Sequence, residues 1–169
     1  MAQGATILGC LGPELTSREI SFFREADPFG FIVFDRNLEN ADQIRNLCDT
    51  LRDAVGRDAP ILIDQEGGRV QRLRPPLATQ WLPPLDDVER FGASAPRAMY
   101  LRYRIIAAEL IALGIDANCA PMVDIAATET HAFLKNRCYG NNLEDVVKVG
   151  QAVAGGLLDG GVLPVLKHI

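Results

Sequence analysis

The sequence has no apolar run approaching the ~18 residues that a membrane-crossing helix needs, no CxxC pair and no excess of basic charge. Each absence excludes a class of function. The four cysteines, Cys10, Cys48, Cys119 and Cys138, lie far apart. That spacing argues against a zinc site and, in a reducing compartment, against disulfides, and leaves buried thiols as the expected state. A formal net charge of −5 with scattered lysines and arginines lacks the electrostatic footprint of a nucleic-acid binder. The start, Met1-Ala2-Gln3-Gly4-Ala5, carries no charged segment ahead of a long apolar core, so the expected location is the cytoplasm, without a membrane partner. The segment after the first apolar run, Gly9-Cys10-Leu11-Gly12, does not supply the GxGxxG of a dinucleotide-binding fold. No cofactor and no metal-ligand set is read.

What is present suffices for one ordinary domain. The chain has 169 residues, 48% of them hydrophobic, which is enough for a core, and residues 1–169 are taken as a single unit. Its most informative stretch runs from Ala59 to Arg72. There Ile61-Leu62-Ile63 reads as a buried strand that begins after Pro60 and ends abruptly at Asp64, followed by Gln65-Glu66-Gly67-Gly68-Arg69-Val70-Gln71-Arg72. Parallel α/β sheets and barrels gather ligands at the carboxyl ends of their strands, so Asp64 and Arg72 are candidate site residues on this ground alone. The bland alternative is a charged loop with a tight turn at Gly67-Gly68.

Along the chain the pattern repeats. Ala5 to Leu11 reads as a strand, and Thr16 with Glu19 as a capping box for a helix carrying Ile20 and Phe23. Phe31 to Phe34 is a second strand ending in Asp35-Arg36-Asn37. Asn40 caps a helix with Ile44, Leu47, Cys48, Leu51 and Val55 on one face and Gly56 beyond its end. The segment from Gln65 to about Asp86, with Trp81, reads as a long irregular loop. Pro96 to Leu113 reads as a helix with Leu101, Ile105, Ala108 and Ala112 inward, before a fourth strand from Ile115 to Ala120 and Asp124. After a second loop through His131, a helix from Asn142 has Val146, Val147, Gly150, Val153, Ala154, Leu157 and Leu158 as its inner face. A fifth strand, Val162 to Leu166, leads to Lys167-His168. Strands alternating with helices imply βαβ units and a parallel sheet. Polar residues after four successive strands tilt the choice from a doubly wound layer to part of a (β/α)8 barrel.

The sequence resembles the glycoside hydrolase family 3 β-N-acetylhexosaminidases, cytoplasmic bacterial enzymes that remove β-linked N-acetylglucosamine from peptidoglycan fragments. The resemblance rests on Gly30-Phe31-Ile32-Val33-Phe34 with Arg36-Asn37, on Ile63 to Arg72, on Ala120-Pro121-Met122-Val123-Asp124, on Asn136-Arg137 with Gly140, and on Lys167-His168. Cys138-Tyr139 departs mildly from the family's usual Ser-Phe. It implies an α/β fold made of the first five β/α units of a (β/α)8 TIM barrel, truncated, with Asp64, Arg72, Arg137, Lys167 and His168 as substrate-binding residues. It also implies a retaining mechanism. The family's Pro-Gly-His-Gly loop with its Asp-His acid/base dyad and the nucleophilic aspartate have no counterpart here, so no catalytic residue is assigned and the chain alone is expected to be inactive. Expected partners are N-acetylglucosamine-containing muropeptides and, through the open barrel edges at Ile7-Leu8 and Val162 to Leu166, a second copy in a homodimer. The alternative reading is a non-catalytic half-barrel that binds sugar or serves assembly. Asp124 and Glu66 remain unassigned carboxylates. His131 reads as an exposed loop histidine and Trp81 as a loop anchor.

Overall fold

A computed structural model describes residues 3–168. Five parallel strands form the sheet: β1 (Gly4–Leu8), β2 (Pro28–Val33), β3 (Ile61–Ile63), then, past a side hairpin of β4 (Gln65–Gly67) and β5 (Val70–Gln71), β6 (Ala117–Asn118) and β7 (Leu163–Pro164), in spatial order β1-β2-β3-β6-β7. Helices α1 (Ser17–Ala26), α2 (Ala41–Val55), α4 (Ala95–Ile111) and α6 (Leu143–Asp159) link successive strands of the sheet, while α3 (Pro84–Phe91) and the one-turn α5 (Ala132–Lys135) lie in the longer connections. Parallel neighbours need such crossovers, and spatial order equal to chain order is what a barrel requires of consecutive βα units.

The helix ends follow the sequence closely. Thr16 Oγ1 accepts the Glu19 amide at 3.2 Å while Glu19 Oε2 accepts the Thr16 amide at 2.9 Å, a reciprocal capping box. Asn40 and Asn142 cap α2 and α6 through the amides of Gln43 and Asp145, each at 3.0 Å. Between sheet and helices lie Phe23, Phe31, Ile44, Leu51, Ile61, Ile63, Met99, Ile106 and Leu110, all fully buried. β3 is buried along its whole length, as an unbroken aliphatic run in a covered parallel strand should be.

Two helix faces differ from expectation. In α4 the stripe Leu101, Ile105, Ala108 and Ala112 lies outward, with Leu101 and Ile105 46% and 48% exposed, and Met99, Tyr103, Ile106 and Leu110 point inward instead. Both stripes have the same spacing and are offset by two residues, about 200° around the helix, so periodicity cannot choose between them. The bulkier stripe fills the space between sheet and α6. In α6, Val147 and Leu158 are exposed and Val149 is buried. This helix presses on α4 at Gly156, where a Cβ would come within 2.5 Å of the Tyr100 carbonyl oxygen, and that close approach fixes its rotation.

The expected loop from Gln65 to Asp86 is more ordered than its composition suggests. It holds the antiparallel β4–β5 hairpin and the start of α3. Among the described residues β1 and β7 each have one neighbour only; they are the edges of the sheet. Among the described residues no helix is long and apolar enough to cross a membrane.

Candidate functional site

The strand ends carry the polar residues. β3 delivers Asp64, and the hairpin that follows turns at Gly67 and Gly68, both with positive φ (114° and 59°), and brings Arg72 back over it. A Cβ at Gly67 would meet the Arg102 guanidinium at 1.9 Å and the Leu82 carbonyl at 2.7 Å, so the turn is specific to glycine. Buried glutamines close the hairpin from within. Gln65 Oε1 accepts the amides of Arg72 and Leu73, both at 3.0 Å, and Gln71 Nε2 donates to the carbonyls of Leu73 and Thr79 at 2.8 and 2.7 Å. Asn118 at the end of β6 pairs with both the amide and the carbonyl of Gln65, at 3.0 and 3.1 Å. The chain after β7 runs beside the chain after β6 through a bridge between Met122 and Lys167, which carries Lys167 and His168 to the same end.

Four of the five residues expected in the site meet in one chain of ion pairs. Lys167 Nζ lies 2.8 Å from Asp64 Oδ1 and 2.6 Å from Glu66 Oε1. Arg72 Nη2 lies 3.2 Å from Asp64 Oδ2, and its Nη1 lies 3.3 Å from Asp35. Arg137 places Nη2 at 2.7 Å from Glu66 Oε1 and Nε at 2.8 Å from Oε2. The fifth, His168, stands in a neighbouring pair: its backbone amide and its Nδ1 lie 3.1 and 2.9 Å from Asp124 Oδ2. Arg72 and Arg137 are therefore both paired to carboxylates and not free at the surface. The ion pair between Asp64 and Arg72 that a loop-ordering role would require is present as well.

Charge and burial oppose each other here. Burial pushes the Asp64 carboxyl up, but Lys167 and then Arg72 outweigh it and hold the group below the usual carboxylate range. Burial lowers Lys167, yet Glu66 and Asp64 together raise it above the ordinary lysine value. Glu66 raises Arg137 through its hydrogen bonds. Burial also acts upward on Asp124, and His168 brings it down. Cys119, half-buried beside the cluster, is pushed up to about 11 by burial and then by Asp64, and is a thiol at neutral pH.

Sequence reasoning left Glu66 unassigned and missed Asp35, Gln65, Asn118 and Arg102. The missed signal is physical: a carboxylate one residue before a glycine turn and two after Asp64 shares that residue's side of an extended chain. Trp81 does anchor its loop, its carbonyl accepting the Gly68 amide at 3.0 Å, and the ring of exposed His131 accepts the Phe133 amide at 3.1 Å. Among the described residues no group of three or more His, Cys, Asp or Glu is placed to hold a metal ion.

Parallel strands whose spatial order equals their chain order, with acceptors and forked donors gathered at their carboxyl ends, place the chain with the (β/α)-barrel proteins. Comparison with known proteins specifies it further. Residues 24–169 match the glycosyl hydrolase family 3 N terminal domain, and the chain belongs to that family. A β-hexosaminidase of Stenotrophomonas maltophilia is 32% identical over 166 residues, which are 96% of this chain and 48% of the relative. NagZ from Neisseria gonorrhoeae, solved in complex with N-trifluoroacetyl-D-glucosamine, superposes with a TM-score of 0.90 at 28% identity over 100% of this chain and 50% of that one. A family 3 β-N-acetylglucosaminidase from Paenibacillus sp. gives a TM-score of 0.85 at 30% identity, covering 97% of this chain and 31% of that one. The chain spans about half the length of the curated relatives it matches. Its architecture is that of the first five β/α units of a (β/α)8 barrel.

Proposed function

We propose that this chain supplies the sugar-recognition half of a β-N-acetylhexosaminidase site that acts on β-linked N-acetylglucosamine of peptidoglycan fragments in the cytoplasm. The observation that carries the reading is the network of Asp64, Arg72, Lys167 and Arg137 at the strand ends, with His168 beside it. Asp64 offers a carboxylate acceptor to ring hydroxyls. Lys167 and the guanidinium groups offer donors to hydroxyl oxygens or to the carbonyl of an acetamido group, and charge-assisted bonds of this kind are the strong ones. Rigid strand ends hold these groups before the sugar arrives, which lowers the ordering cost of binding.

Cleavage in this reading is retaining. A carboxylate attacks the anomeric carbon while an acid protonates the leaving oxygen, and the resulting glycosyl-enzyme is then hydrolysed. Both reacting groups would come from the β/α units that the relatives carry and this chain does not span. The edges of β1 and β7, with Ile7 and Leu163 exposed, would then pair with those units or with a second copy of the chain.

The test uses the chain itself with N-acetylglucosamine and a chromogenic N-acetylglucosaminide. Millimolar binding without turnover is expected. Failure to bind the monosaccharide would overturn the sugar reading, and turnover surviving purification to homogeneity would overturn the division of labour and return Asp124 to candidacy as a reacting group.

A further inference from the structure

We infer that Glu66 is a positioning residue that fixes which donor atoms of Arg137 and Lys167 face the sugar. The inference rests on the sugar-site reading above and adds a residue that this reading does not use. Glu66 is 1% exposed, so its carboxylate cannot itself receive a ligand. Both of its oxygens are occupied: Oε1 lies 2.7 Å from Arg137 Nη2 and 2.6 Å from Lys167 Nζ, and Oε2 lies 2.8 Å from Arg137 Nε. Among the described residues this leaves Arg137 Nη1 without a partner. Lys167, already shared between Glu66 and Asp64, keeps one of its three N–H groups.

The carboxylate is held in place from behind. The main-chain carbonyl of Glu66 accepts from Arg102 Nη2 at 2.5 Å and from the Tyr103 hydroxyl at 3.3 Å, both on α4, and Arg102 is itself paired with buried Asp87 at 2.6 Å. Charge balance completes the argument. Asp35, Asp64 and Glu66 offset Arg72, Arg137 and Lys167, so the network as a whole is neutral and suits a neutral sugar. Without the Glu66 charge, Arg137 keeps at most one of its two fixed bonds, and Lys167 moves onto Asp64 and takes up the acceptor that the sugar hydroxyls need.

The experiment is side-chain nitrogen NMR on the labelled chain combined with titration of N-acetylglucosamine. In the wild type the Arg137 Nε–H should exchange with water at least about tenfold more slowly than that of exposed Arg18, because it is held by a buried acceptor. Glu66→Gln should reduce that protection severalfold and weaken sugar binding by about tenfold or more, with the backbone spectrum otherwise retained. Arg137 exchanging as fast as Arg18 in the wild type, or undiminished sugar binding in Glu66→Gln, overturns the inference while leaving the sugar reading intact. A wild-type chain that protects Arg137 yet binds no sugar overturns both. If Glu66→Gln does not fold, Glu66→Asp replaces it, since one methylene less withdraws the carboxylate from its partners. Loss of Arg137 protection with weakened binding then supports the inference, and unchanged binding overturns it.

Discussion

Asp64 and Asp124 both follow sheet strands and both accept a cationic or ring nitrogen, yet they are built differently. Asp64 has a side chain only 17% exposed, is held by two cations, and sits on a hairpin that Arg102 ties to α4. Asp124 is nearer the surface and has one side-chain partner, His168, which is itself half exposed. The first carboxylate is part of the fold, and the second is attached to it. Removing one member of a buried ion pair leaves an uncompensated charge and costs far more than removing a surface pair. The two ends should therefore respond very differently to substitution.

The largest effect is expected behind the hairpin. Arg102→Met strands the Asp87 carboxylate in the interior, leaves the Glu66 carbonyl with the Tyr103 hydroxyl alone, and should lower stability by about 3–5 kcal/mol, read as the shift of the urea unfolding midpoint. A midpoint close to wild type would mean that the hairpin does not depend on α4. Asp64→Asn comes next. Lys167 keeps Glu66 and Arg72 keeps Asp35, so the fold should persist, while N-acetylglucosamine binding should weaken by about 1.5–3 kcal/mol. Calorimetric titration checks it, and an unchanged affinity would leave Asp64 as a residue that only orders its loop.

Acid and alkali sharpen the same comparison. The folded-state values of Asp64 and Asp124 are depressed, so their contribution is complete above the ordinary aspartate value of about 3.9 and is lost as pH falls through the folded values. Lys167 is raised, so its contribution is complete below the ordinary lysine value of about 10.4 and is lost as pH rises through the folded value. Stability should be flat between about pH 5 and pH 8; above that it falls first because the buried thiols Cys10, Cys48 and Cys119 are raised in the folded state while the unfolded thiols ionise at about 8.5, and then through Lys167. Asp64→Asn should flatten the acid limb, and a wild-type curve already declining between pH 5 and pH 8 would contradict this sign. The smallest effect belongs to Asp124→Asn. Stability should change by less than about 1 kcal/mol, while the His168 ring should lose its fixed orientation, visible as altered Nδ1 and Nε2 signals in a histidine nitrogen spectrum.

How much of this was legible in the sequence depended on the kind of force at work. Caps and apolar runs are local, so α1, α2 and α6 began where Thr16, Asn40 and Asn142 indicated, and the parallel order of the sheet followed from strands alternating with helices. Asp64, Arg72, Arg137, Lys167 and His168 could be named because of the motifs they sit in, and the structure gathers them at one end of the sheet. The inward face of α4 was not legible, because two equal stripes compete and only the volume of Tyr103 and Met99 decides between them. The β4–β5 hairpin was hidden for a different reason. Its closure depends on the side chains of Gln65 and Gln71 bonding to backbone, and hydrophobic periodicity does not register such bonds. The place of Glu66 on the side of Asp64 was readable, but its partner Arg137, distant in sequence, was not.

The most direct measurement is a backbone NMR titration of the wild-type chain with N-acetylglucosamine. Saturable shifts are expected, concentrated at Asp64, Glu66, Arg72, Arg137, Lys167 and His168. Shifts centred instead on the outer groove lined by Ala41, Leu77, Leu101 and Ile105, or no saturable shifts at all, would contradict the sugar reading.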